Sequence, residues 1–303
     1  SSSQIALRKL KTGFIDIGFN EVLSYSLVPE SNNDLIKISN PLLIETSCLR
    51  DNMWQEHIKI CNQNIKYGRD YCWIFEVGNI FNKKNDFSQE EILNGAIYGN
   101  NKFQKWIDLS KDNNLNFYEA RGKLREALTI LNLEIVDKPT DSIHFLHPGR
   151  SSILFTEGNE VGYFGEIHPK LISDKKVLKK LYLFSLKVNN ILDSSTRKNK
   201  WIPKFKKYPT VPKIERDINF IFNKKYLVSE IITLIKKSGK KLLEEINLID
   251  VYEDNNFGKE FISYTFRLSY RDSEKTLFDS DITQLHESII KIVEKKYTTK
   301  LRE

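Results

Sequence analysis

His144 to Pro169 reads HFLHPGRSSILFTEGNEVGYFGEIHP, and it is the one stretch of the chain in which an unusual pattern repeats. Two His-Pro pairs, His147-Pro148 and His168-Pro169, bracket two runs rich in β-branched and aromatic residues, Ser151 to Thr156 and Val161 to Ile167. Between them lies Glu157-Gly158-Asn159-Glu160, whose Gly-Asn pair is a two-residue hairpin signal. The stretch is therefore predicted to be a strand, a turn and a strand. Gly162 and Gly165 interrupt the second strand, where glycine marks a bulge or the close approach of another backbone. Such a hairpin is expected to sit centrally in a sheet. Neither histidine has a catalytic partner nearby in sequence, so both are expected only to end strands.

Working outward, Ile5 to Ile17 places Leu7, Leu10, Phe14 and Ile17 on one helix face. Glu21 to Val28 alternates like a strand, and Asn40-Pro41 is a turn by its own chemistry. A helix is expected from about Asp51 to Tyr67, then a buried strand over Asp70 to Phe81. Arg50, at the start of that helix, is expected to pair with an acid. An amphipathic helix follows from Phe117 to Leu131, with Leu124, Leu128 and Leu131 on one face. Lys175 to Lys180 reads as a solvated basic patch, Leu181 to Val188 as the strand that closes the sheet, and the polar run Asn189 to Lys206 as a linker. Beyond it the periods change in the order strand Asp217 to Asn223, helix Leu227 to Lys237, strand Leu242 to Tyr252, strand Phe261 to Arg271, helix Asp281 to Lys296, and a short strand near Lys300. That is β-α-β-β-α-β, the ferredoxin-like order. The last helix is predicted to start at Asp279 or Ser280 as N-cap and to bury Ile282, Leu285, Ile289 and Val293. The expected class is α+β, with domains over 1–190 and 206–303 joined by a linker over 191–205.

Size and composition agree with two globular domains: 303 residues, 40% hydrophobic. No apolar run approaches the roughly 18 residues of a membrane helix, and SSSQIALRKLKTG lacks the apolar core of a secretory signal. This excludes a helical membrane protein and implies an intracellular chain. It starts without Met, inside a periodic segment, and is expected to be a fragment of a longer protein. Cys48, Cys61 and Cys72 are odd in number and too widely spaced for a C-x-x-C clamp, so buried thiols are expected. The net charge of +7 splits as +4 from Trp201 onward and +3 before it, which favours a polyanionic partner. Lysines outnumber arginines 36 to 11, a bias of AT-rich genomes such as those of organelles.

The pattern HPGR-S, a Gly-rich hairpin, then G-E-I-H-P resembles the synthetase-like core of the β subunit of bacterial-type phenylalanine-tRNA ligase. Other blocks carry the same resemblance: Ile17-Gly-Phe-Asn-Glu-Val-Leu-Ser-Tyr-Ser26, Asn40-Pro41 with Glu45 to Arg50, Phe75-Glu76-Val77-Gly78, and the helix after Asn116, with Arg121 where lysine is usual. Downstream, Val211 to Ile218, Leu248 to Tyr252 and Phe266 to Leu277 resemble the P-x-x-x-R-D, L-x-D-x-Y and F-R-L-x-Y-R-x-x-x-R-T-L blocks of the ferredoxin-fold anticodon-binding domain. Lys275 replaces the common arginine, and the loop Asn255 to Glu260 departs in length.

The resemblance implies a non-catalytic copy of the class II synthetase fold, with an antiparallel sheet at its core. Where catalytic class II enzymes place an ATP-binding arginine before the glutamate, this chain has Phe75, which cannot supply the cation that the α-phosphate needs. The chain also lacks any G-x-G. No catalytic, cofactor-binding or metal-binding residue is therefore expected. The family further implies an α2β2 heterotetramer whose α subunit holds ATP, Mg²⁺ and phenylalanine and charges tRNA(Phe). The editing site and the Mg²⁺-assisting carboxylates belong to family regions upstream of Ser1. Alternatives are a single-chain organellar phenylalanine-tRNA ligase and a basic RNA-binding protein unrelated to aminoacylation. Location is expected to be the plastid stroma, with bacterial cytoplasm as the alternative. For RNA contact the expected residues are Lys206, Lys207, Arg216, Arg267 and Arg271, with Tyr208 beside them in the lead-in segment; Tyr270 is expected to be packed.

Overall fold

The computed structural model describes all residues except 32–33, 84–87, 100–113, 172–179, 198–199, 201, 206, 255–257, 273–274 and 300–303. The chain divides into two units, Ser1–Lys204 and Phe205–Glu303.

The first unit opens with helix α1 (Ser2–Asp16), capped by the Ser1 side chain, and short strand β1 (Asn20–Glu21). Strands β2 (Leu27–Val28), β3 (Ile36–Lys37) and β4 (Cys48–Leu49) form a small sheet in the order β2-β4-β3. Helix α2 (Trp54–Lys66) precedes the long strands β5 (Tyr71–Asn82) and β6 (Ser88–Gly99). Helix α3 (Phe117–Leu128), capped by Asn116, continues as a 3-10 turn to Leu131. Then come β7 (Val136–Pro139), β8 (Leu146–Thr156), β9 (Asn159–Ile167), β10 (Leu181–Lys187) and helix α4 (Val188–Thr196). The main sheet has the order β1-β5-β6-β10-β9-β8-β7, antiparallel throughout except that β1 runs parallel to β5.

Strand alternation sends successive side chains to opposite faces, and here both faces are covered. On one, α1, α3 and α4 bury Phe14, Leu124 and Ile191 against Trp73, Phe75, Phe164 and Phe184. Phe14 stacks on Phe75 (centroids 5.1 Å apart) and on Phe184 (5.5 Å); each such ring is worth about 1.5–3 kcal/mol of burial. On the other, α2 packs Ile58 and Cys61 over Cys72, Ile74, Ala96 and Leu183. All three cysteines are buried thiols, and the Cys61 and Cys72 sulfurs lie 3.5 Å apart.

The hairpin that opened the sequence reading is β8–β9, inside the sheet between β10 and β7. Its loop is Glu157-Gly158 rather than Gly158-Asn159: Thr156 pairs with Asn159, and both loop residues take positive φ (50° and 84°), a type I′ turn. Gly162 does face a backbone. A Cβ there would lie 1.9 Å from the Ser185 carbonyl oxygen, and its φ is 148°. Gly165 meets Leu146, Ser151 and the Arg150 carbonyl at 2.8–3.0 Å. The segment His147–Arg150 bulges out of β8 between Leu146 and Ser151. His147 and His168 use the same local device, each accepting through Nδ1 the amide of the residue two positions on, Gly149 (3.1 Å) and Lys170 (3.2 Å).

Glu21 to Val28 is not one strand: β1 and β2 are separated, and Leu23 and Tyr25 between them are exposed. β1 pairs parallel, not antiparallel, because Val22 N–H reaches the Phe75 carbonyl (2.9 Å) as the chain leaves α1. β10 does not close the sheet but joins its two halves, between β6 and β9. The run from Asn189 begins inside α4, whose Val188, Ile191 and Leu192 are buried in the core, so polar composition concealed an apolar stripe.

In the second unit β11 (Ile214–Asn223), helix α5 (Val228–Ser238), β12 (Leu243–Tyr252), β13 (Phe261–Tyr270) and helix α6 (Asp279–Tyr297) follow in the predicted order. The sheet order β11-β13-β12 is antiparallel. Ile218, Phe220, Phe266, Leu268 and Tyr270 meet Ile231, Ile235, Ile282, Ile289 and Val293 of the two helices in one core. The strand expected near Lys300 lies outside the described residues. The N-cap of α6 is Phe278, whose N–H is taken by the Asp281 carboxylate (3.0 Å), not Asp279 or Ser280.

Candidate functional site

In the first unit the F-E-x-G strand puts its residues on opposite faces. Phe75 is fully buried among α1, α3 and α4, while Glu76 faces α2 and is equally buried. Glu76 gathers four donors: Arg50 Nη1 (3.0 Å) on one oxygen, and Ser24 N–H (3.2 Å), Ser24 Oγ (2.6 Å) and His57 Nε2 (3.4 Å) on the other. Asn94 Nδ2 donates to His57 Nδ1 (2.9 Å), which leaves Nε2–H for the carboxylate. Arg50 also donates Nε to the Asn79 carbonyl (2.9 Å) and Nη1 to Ser24 Oγ (2.8 Å). Burial alone would push the Glu76 carboxyl up, but the bonds from His57 and Ser24 and the Arg50 charge outweigh it and hold the group below its ordinary range. Gly78 completes the motif, because a Cβ there would stand 2.5 Å from Arg50 Nη2. The glutamate supplies the counter-charge and the glycine the room for the guanidinium.

Arg50 thus pairs with an acid as expected, with a partner 26 positions away. Its cation is already engaged by Glu76, and Phe75 points into the core. Among the described residues no group of three or more His, Cys, Asp or Glu side chains is placed to hold a metal ion.

In the second unit, the face of the sheet away from the helices is open. It carries Thr265 and Arg267 of β13, with Glu215, Asp217 and Asn219 of β11 opposite, while Ser263 and Ser269 lie buried beneath their bonds to Asn219 and Glu215. Arg267 reaches Asp217 by two bonds of 2.8 Å each. The Arg267 guanidinium holds the Asp217 carboxyl below its usual range, and Asp217 raises the Arg267 pKa. Lys213 pairs with Glu215 on the same face (2.6 Å).

Of the expected RNA contacts, Arg267 lies within that face. Arg216 pairs with Leu268 in register, on the helix side, and its guanidinium binds Asp279 (2.8 Å). Arg271 follows the end of β13 and pairs with Glu244 (3.1 Å). Lys207 and Tyr208 are exposed, and Lys206 lies outside the described residues. Tyr270 is fully buried, its hydroxyl bonded to His286 Nδ1 (2.9 Å), as the alternation of β13 implied. The basic patch from Lys175 to Lys180 falls almost wholly outside the described residues. Lys236, Lys237, Lys240 and Lys241 carry a plain sequence signal, four lysines in KKSGKK at the end of α5, where they look like an ordinary helix end.

One further surface stands out. Around the small sheet, Leu23, Tyr25, Leu42 and Ile44 are 92%, 83%, 98% and 84% exposed, and β2 lies against the 3-10 turn at Ile44–Thr46.

Comparison with known proteins gives two family matches. Residues 1–188 match the phenylalanyl-tRNA synthetase β-chain CLM domain, and residues 209–302 match the ferredoxin-fold anticodon-binding domain. Among curated proteins, the phenylalanine-tRNA ligase β subunit of Prochlorococcus marinus subsp. pastoris (strain CCMP1986 / NIES-2087 / MED4) is 78% identical over 303 residues, and that of strain MIT 9312 is 65% identical over 302. Both alignments take in all of this chain but only 37% of the relative's length.

Proposed function

Because the chain belongs to the phenylalanyl-tRNA synthetase β-chain family, we propose that it is the non-catalytic, tRNA-binding part of a phenylalanine-tRNA ligase, acting with a separate catalytic subunit. The observation that carries this reading is the closed Arg50–Glu76–His57 network. It fills the strand where a catalytic copy would need a free cation for the α-phosphate. ATP and Mg²⁺ then belong to the partner, and this chain supplies no step of the adenylation chemistry.

The apolar rim of Leu23, Tyr25, Leu42 and Ile44 is the docking surface for that catalytic α subunit, in an α2β2 assembly. The 206–303 domain, joined by residues 197–205 after α4, offers its open sheet face and Lys207 to tRNA(Phe), with Arg267 free to exchange Asp217 for a phosphate. Arg216 and Arg271, held by Asp279 and Glu244, frame that face. The origin of the relatives in Prochlorococcus favours bacterial cytoplasm over a plastid.

Co-expression with the α subunit tests this reading. The complex should charge tRNA(Phe) with phenylalanine, and this chain alone should show no phenylalanine-dependent pyrophosphate exchange. Exchange by the isolated chain would establish the single-chain alternative. Failure to co-purify with α while still binding RNA would favour the unrelated RNA-binding protein.

A further inference from the structure

The described arginines of the second unit are engaged: Arg216 with Asp279, Arg267 with Asp217 and Arg271 with Glu244. Lys213 and Lys224 also have carboxylate partners, Glu215 and Glu253. The turn between α5 and β12 differs. Lys236, Lys237, Lys240 and Lys241 fall within six consecutive positions, all four are exposed, and among the described residues none forms an ion pair. The turn that carries them is held in one conformation. Gly239 N–H closes α5 on the Ile235 carbonyl (2.8 Å), Lys240 takes a left-handed φ of 51°, Leu243 is buried in the core, and Arg271 N–H binds the Leu242 carbonyl (2.9 Å).

Two of the lysines have an ordinary explanation, since cations in the last turn of a helix complement its dipole. Lys240 and Lys241 lie beyond the helix and gain nothing from that. Four unneutralised cations on a fixed turn match the chemistry of a phosphate backbone, where each neutralised phosphate releases a condensed counterion. A membrane surface would also attract cations, but it needs an apolar face beside them. Here Ile231 and Ile235 of α5 are buried in the core, and its other apolar residues, Val228, Ile232 and Leu234, pack against that core.

Resting on the tRNA-binding reading above, we propose that the α5–β12 turn is a second tRNA contact, with Lys240 and Lys241 supported by Lys236 and Lys237 gripping backbone phosphates away from the open sheet face. It adds affinity without reading sequence.

The test uses the full-length β subunit in complex with its catalytic partner, and labelled tRNA(Phe) titrated by fluorescence anisotropy at several salt concentrations. Lys240→Gln/Lys241→Gln should weaken binding several-fold and lower the slope of log affinity against log salt by about 0.7–0.9 for each phosphate that is no longer neutralised. Lys240→Arg/Lys241→Arg should restore the slope, and the thermal midpoint of both variants should match the unmodified complex. An unchanged slope in the glutamine variant overturns the proposal while the tRNA reading stands. Absence of tRNA binding by the unmodified complex overturns both. Binding to phosphatidylglycerol vesicles that the glutamine pair abolishes, with the tRNA slope untouched, overturns it in favour of a membrane contact.

Discussion

The two units use the same chemical pair, an arginine and a carboxylate bridging neighbouring elements, in opposite surroundings. Arg50–Glu76 lies in the interior with side chains 3% and 1% exposed, whereas Arg267–Asp217 stands on an open sheet face at 42% and 43%. Inside, the charges have no alternative partner, so the pair is a fixed part of the fold and its other hydrogen bonds must all be made. Outside, water and salt compete with each charge, and the pair can open to accept a third ion. One motif has become architecture and the other remains available for recognition.

The largest test of that contrast is Glu76→Ala. It strands a buried guanidinium and should cost about 3–5 kcal/mol, read as a fall in the urea midpoint with an unchanged slope. A loss no larger than that of a surface ion pair would erase the difference between the two units. Next come the sheet glycines beside that interior. Gly162→Val drives a Cβ into the Ser185 carbonyl at a positive φ and should cost about 2–4 kcal/mol; Gly165→Val, whose neighbours include movable side chains, should cost less. Equal midpoints for the two valine variants would show that the backbone approach at Gly162 is not what matters.

Acid separates the pairs further. The Glu76 carboxyl is held below its ordinary range in the fold, so it contributes stability above the unfolded value near 4.3, and that contribution is lost as pH falls through the lower folded value. Asp217 and Glu215 are depressed in the same direction but are exposed. Raising the salt concentration should therefore erase their share of the acid sensitivity and leave that of Glu76, which Glu76→Gln removes. A Glu76→Gln variant with unaltered acid unfolding would refute the assignment. The smallest effect is expected at the surface pair. Arg267→Ala should leave the thermal midpoint within error and lower the salt slope of tRNA binding by no more than about 0.7–0.9. Asp217→Asn, which frees the guanidinium, should steepen it.

Much of this was legible in the chain. The order of elements followed from period changes, and the packing of Tyr270 from the alternation of Phe266, Leu268 and Tyr270 along β13. The hairpin turn slipped by one position because Glu157, a residue with no special liking for positive φ, occupies the first left-handed site while Gly158 takes the second. What could not be read was which charges were already spent. Asp217 is 50 positions from Arg267, and Arg50 is 26 from Glu76, so each pairing depends on register across elements rather than on spacing. The three arginines chosen for their chemistry proved to have partners, and the lysines of KKSGKK looked like an ordinary helix end.

The place of β10 bears on how the protein is made. It is the last strand of the first unit along the chain, yet it lies in the middle of the sheet, paired to β6 and to β9. Until Leu181–Lys187 has been synthesised, β5–β6 and β8–β9 are separate ribbons, each with an unpaired edge that the missing strand will cover. Such edges recruit strands from other chains. The nascent protein is therefore most prone to aggregate during the interval between the emergence of β9 and that of β10, and a ribosome that pauses within that interval would hold it in that state.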